Sequence, residues 1–179
     1  MKPFTQQASA VWRGGARRGT GVLNTPSDAL RSEAYASGGV GTRSGTSPPE
    51  LIAAAHAGSF SMTLATELGT AGYRPRQIDT KATVTLENIA AGWTLTQIHL
   101  EVVAAVPGVA QCEFVDVALR AKANCPISRS LNANISMSAR LSLRGATARE
   151  LPRRTGNTAK IKNKRKTGIF SNSISPSKA

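Results

Sequence analysis

With 179 residues, 40% of them apolar and 18% charged, the chain is long enough for one domain with its own core, and no run of about 18 apolar residues offers a membrane span. Aromatic side chains make up only 4%, which excludes an extensive ring-stacking platform for nucleic acid. The formal charge of +13 is unevenly placed, because residues 1–143 carry 13 Lys and Arg against 9 Asp and Glu, while residues 144–179 carry 10 against 1.

The N-terminal stretch MKPFTQQASAVWRGG lacks the apolar segment of a secretory signal, so a cytoplasmic protein is expected. Residues 8–14 and 20–25 read as two short strands joined by the turn GGARRG. Residues 26–46 are polar and Gly-rich without apolar periodicity, and are expected to form a long surface loop.

Ser47-Pro48-Pro49-Glu50 then supplies a Ser N-cap, a proline at the first helical position and a Glu three residues beyond the cap. This predicts a helix from Pro48 to near Gly69, with Glu50 as the reciprocal partner of Ser47 in a capping box. Its small residues, Ala53, Ala54, Ala55, Ala57 and Gly58, allow another backbone to approach closely, as suits a central helix.

Residues 79–87 alternate, with Ala82, Val84 and Leu86 on one face, and residues 93–106 place Ile98, Leu100 and Val102 opposite Gln97, His99 and Glu101. Two strands joined as a hairpin around Ala91-Gly92 follow. CEFVDVALRAKANC sets Phe114, Val117, Ala118 and Ala121 at helical spacing before Pro126, and a short turn or helix over Ile127–Leu131 leads to a last strand through Ile135, Met137, Ala139, Leu141 and Leu143. The order ββαββαβ is an α+β pattern.

Residues 144–179 are rich in Ser, Thr, Asn and Gly with few apolar groups, and are expected to be a basic, disordered tail. Lys160, Lys162, Lys164, Arg165 and Lys166 could touch phosphates, although a solvated extension with non-specific polyanion affinity is the plainer reading. Two cysteines, Cys112 and Cys125, are too few for a secreted disulfide scaffold and lack the paired spacing of a structural zinc site, so no metal is expected.

The segment TSPPELIAAAHAGSFSM, followed by KANCPIS, resembles the two signature regions of the OsmC/Ohr family, TNPEELxxAAHAxCFSM and KAxxxCPxS, and the likeness extends over about residues 8–143. It places the chain nearest the OsmC subgroup. The resemblance implies an intertwined homodimer whose sheets wrap two central helices, with two cysteine-based sites that use no metal or cofactor. It further implies a reductase of organic hydroperoxides, recycled by a dithiol and serving peroxide and osmotic stress defence. The peroxide-attacking cysteine of the family aligns with Ser59, and the resolving cysteine with Cys125; a small buried residue is the plainer reading of Cys125 taken alone.

A thiolate attacks the O–O bond, becomes a sulfenic acid and condenses with a second thiol, and a serine hydroxyl has no such oxidation ladder. Ser59 therefore implies a weak or inactive form. The family also uses an Arg in the first hairpin turn and a Glu; Arg18 is the best match, Arg17 the next, while the Glu position holds Pro49 and its neighbour is Glu50. The rival functions are a non-catalytic dimeric binding protein for lipid-like or hydroperoxide ligands, and a serine hydrolase built on His56 and Ser59. The second lacks the strand-turn-helix GxSxG elbow.

Overall fold

The computed structural model describes residues 3–15, 19–36 and 45–142. Arg17, Arg18 and the basic tail lie outside the described residues. Three strands open the chain, β1 (Ser9–Arg13), β2 (Thr20–Asn24) and β3 (Glu33–Tyr35), followed by the long helix α1 (Pro48–Thr70). Then come β4 (Gln77–Ile89), β5 (Gly92–Ala105), α2 (Gln111–Asn124), the one-turn α3 (Pro126–Ser130) and β6 (Asn134–Leu141).

The first hairpin forms as expected, with Val11 opposite Val22 in antiparallel register. The long loop expected over 26–46 is corrected, because it contains β3, which pairs antiparallel with β2. That strand is held by partners distant in sequence: the Tyr35 ring lies 5.5 Å from Trp12, and Tyr35 bridges to Thr46. Gly45, at φ +87, packs so closely that a Cβ there would run into the Ala34 carbonyl, so only glycine fits.

Helix α1 begins where the sequence places it. Ser47 is extended and its hydroxyl accepts from the Glu50 amide. The Glu50 carboxylate takes the Thr46 hydroxyl at 3.0 Å, so the second arm of the expected capping box is bonded one residue further out. The helix passes Gly69 and ends at Thr70. Gly72 turns the chain left-handed at φ +87, the Tyr73 amide reaches back to the Leu68 carbonyl, and the Gly72 amide to that of Gly69. This pair of bonds is a Schellman closure, which needs glycine just beyond the helix rather than inside it.

β4 and β5 form a long antiparallel hairpin with a bulge between Thr85 and Leu86, and β6 pairs parallel to β5. The parallel pairing requires a crossover, supplied by α2 and α3. Ile98, Leu100, Val102 and Ala104 of β5 are buried, as are Phe60, Leu64 and Leu68 of α1 and Phe114, Val117, Ala118 and Ala121 of α2. Ile135, Met137, Ala139 and Leu141 of β6 pack against this core. Leu86, expected on the inward face, is exposed, because the bulge between Thr85 and Leu86 interrupts the alternation there.

The buried stripe of α1 is narrow: His56, Phe60, Leu64 and Leu68, each four residues from the next. Ala54, Ala55, Gly58, Met62, Thr66 and Gly69 are exposed along the opposite side, Met62 by 74%. Among the described residues no helix is long and apolar enough to cross a membrane.

Candidate active site

Cys125 sits at the joint between two helices. It ends α2, donating its amide to the Ala121 carbonyl, and Pro126 starts α3 immediately after it. Proline cannot continue α2 but suits the first position of a new helix, so the Cys-Pro pair breaks one helix and begins the next. The thiol is fully buried.

Across from it, the fourth turn of α1 presents Ser59, whose Oγ lies 3.4 Å from Cys125 Sγ although the two residues are 66 apart in sequence. One turn earlier on α1, the buried His56 places Nε2 2.8 Å from the Ser128 hydroxyl on α3. Its Nδ1 is buried without a hydrogen-bond partner. Burial lowers the His56 pKa and keeps the ring neutral.

Burial, the largest single influence on Cys125, pushes its thiol up. The hydrogen bond from Ser59, the Ser128 amide and hydroxyl and the Ile127 amide together outweigh it, holding the thiol below its ordinary value of 9.0. Cys125 occupies the N-cap position of α3, and its side chain makes no capping hydrogen bond there. A sulfur so surrounded is prepared to carry negative charge.

Of the residues expected at the site, the structure brings Ser59 and Cys125 together. Glu50 is bonded to Thr46, nine residues and about 13 Å of helix rise before Ser59. Arg18 lies outside the described residues. Cys112 is exposed near the start of α2. Among the described residues no group of three or more His, Cys, Asp or Glu could hold a metal ion. Nor is there a hydrolase triad: His56 bonds Ser128 rather than Ser59, and its Nδ1 lacks the orienting third group. Ser128 was not singled out from the sequence, though it closes the CPIS segment and stands three residues after a helix-starting cap.

The sequence profile of OsmC-like proteins matches residues 41–140, which includes both Ser59 and Cys125. The chain belongs to the OsmC family. It is 42% identical over 136 residues to the peroxiredoxin OsmC of Escherichia coli strain K12, covering 74% of this chain and 93% of that protein. The fold is shared with an OsmC-like protein from Mycoplasma pneumoniae (TM-score 0.65, 14% identity, 78% of this chain and 99% of that one). It is shared too with an organic hydroperoxide resistance protein from Elizabethkingia anophelis (TM-score 0.60, 21% identity, 79% of this chain and 100% of that one). The α+β architecture read from the sequence is thus that of this family, with β3 added.

Proposed function

We propose that this chain is an OsmC-type organic hydroperoxide reductase by descent, with Ser59 in the place of the peroxide-attacking cysteine and Cys125 in the place of the resolving one. The observation that carries this reading is the 3.4 Å approach of Ser59 Oγ to Cys125 Sγ, from helices far apart in sequence. In the full reaction a thiolate at position 59 would cleave the O–O bond, releasing the alcohol and becoming a sulfenic acid. Condensation with Cys125 would release water and form a disulfide, which an external dithiol reduces. The Ser59 hydroxyl cannot take the first step, so turnover by this form is weak or absent.

The working unit in this reading is a cytoplasmic homodimer. Support comes from the exposed small-residue face of α1 and from β1, all of whose residues are exposed, Val11 and Trp12 included. By the family resemblance Arg18 would orient the peroxide, with Glu50, the neighbour of the family's Glu position at Pro49, as its acidic partner.

The test is consumption of an organic hydroperoxide with a dithiol, comparing this chain with Ser59→Cys. Gain of turnover only in the variant is expected. Equal turnover by both would remove Ser59 from the nucleophile position and turn attention to Cys125. Silence from both would overturn the reductase reading in favour of a non-catalytic binding protein, whose fatty ligands would raise its melting temperature.

A further inference from the structure

Cys125 opens α3, and little holds that helix in place. It is five residues long, with none of them buried and no side-chain bond at its N-cap. A helix of one turn has no stability of its own. The Arg129 amide bonds the Cys125 carbonyl, the Leu131 amide the Ile127 carbonyl, and the Ser130 hydroxyl the Pro126 carbonyl, all within the same segment. Ile127 packs against the core. Among the described residues, the segment is tied to α1 by the Ser59 Oγ contact with Cys125 Sγ at 3.4 Å and by a hydrogen bond of 2.8 Å between His56 Nε2 and Ser128 Oγ.

These contacts are successive rungs, since 56 and 59 are three apart on α1, as are 125 and 128 on the facing segment. Sulfur is a weak hydrogen-bonding partner, so the histidine rung is the firmer one. It also stands where packing alone would place an apolar side chain. The other members of the buried α1 stripe are Phe60, Leu64 and Leu68, whereas His56 is buried with Nδ1 unpartnered among the described residues. A half-satisfied buried ring costs stability that a leucine would not. What the ring supplies instead is a directional bond to α3.

We propose that His56 is a positioning residue acting through Ser128: their hydrogen bond fixes α3 against α1 and so sets how closely Cys125 meets position 59. The inference rests on reading those two positions as the peroxide-attacking and resolving places. In that reaction a sulfenic acid at position 59 condenses with the Cys125 thiol. The S–S bond forms as the S–O bond breaks, and the hydroxyl leaves with the thiol hydrogen as water. How often the two sulfurs stand in line sets the rate of this step.

The test measures the effective concentration of the two sulfurs in Ser59→Cys, in a Cys112→Ser background, by equilibration with oxidised and reduced glutathione. One oxidised glutathione takes up the two thiol hydrogens and leaves as two reduced molecules while the protein gains its disulfide, and no peroxide is involved. His56→Phe and Ser128→Ala should each lower the effective concentration about fivefold. Together they should lower it no further than either alone, because both remove the same bond. His56→Gln, which keeps an N–H donor, should recover part of the loss. Ser47→Ala, which weakens the start of α1, should leave the value unchanged.

Ser128 is only half-buried, so Ser128→Ala tests the bond even if His56→Phe does not fold. An unchanged value in Ser128→Ala overturns the proposal. So do losses that multiply in the double variant, or an equal loss in Ser47→Ala, which would mark general loosening. A disulfide that never forms overturns this proposal and the pairing of position 59 with Cys125 together. One that forms but ignores both substitutions overturns this proposal alone.

Discussion

Replacing Ser59 with cysteine puts a second sulfur where an oxygen now stands 3.4 Å from Cys125 Sγ. A sulfur reaches further than an oxygen, and a small side-chain rotation closes the remainder to the S–S bond length of about 2.05 Å. Mild oxidation should therefore join positions 59 and 125 in one chain. The bond closes a loop across 66 residues of sequence. On loop-closure entropy such a loop is worth about 4 kcal/mol. The corresponding rise in melting temperature is about 10 °C for a domain of this size. The assay is calorimetry of Ser59→Cys in a Cys112→Ser background, oxidised and then reduced, with free thiols counted in each state. Loss of both thiols within the monomer and a higher melting temperature in the oxidised form are expected. Two thiols that stay free while the fold is intact, or that pair only between chains, would refute the geometry on which the site rests.

Leu64→Ala empties a fully buried position in the α1 stripe and should cost about 2–5 kcal/mol, seen as a lower urea midpoint at unchanged slope. Ser47→Ala removes the hydroxyl that accepts the Glu50 amide and should cost about 1 kcal/mol in the same measurement. Burial lowers the His56 pKa from 6.5, so the unfolded chain takes up a proton there that the native state refuses. Stability is then level above that value and falls as pH drops below it. His56→Gln should flatten this fall below about pH 6.5, and an unchanged slope would assign the effect to another group. In the proposed homodimer, Met62→Lys on the exposed side of α1 should leave the chain folded but shift sedimentation toward the monomer, since it sets a charge on the face proposed for the partner.

Much of the fold was legible because local signals agreed. Ser47, Pro48 and Glu50 marked the start of α1, and the alternation around Ile98, Leu100 and Val102 set the inward face of β5. The end of α1 was less legible, since Gly69 and Gly72 are both plausible stops and only the left-handed turn at Gly72 decides between them. β3 was invisible for a different reason: its three residues owe their extension to β2 and Trp12, contacts that local periodicity does not encode. The pairing of position 59 with Cys125 came from family resemblance, because no spacing rule relates residues on two separate helices. Ser128 was missed because a lone serine near a helix start reads as a cap. Its contact with His56 depends on how α3 packs against α1.

The parallel alignment of β6 with β5 bears on the order in which the molecule is assembled. The β4–β5 hairpin can close through its two-residue turn, whereas Ile98 meets Ile135 only after the whole α2–α3 crossover has been laid down. Cys125 lies inside that crossover, so its sulfur reaches α1 during a slow, long-range closure rather than during early hairpin formation. In refolding Ser59→Cys chains, the moment at which the two sulfurs can be linked becomes a clock for that closure. Until it strikes, a thiol that ends up fully buried stands open to any oxidant in the solution.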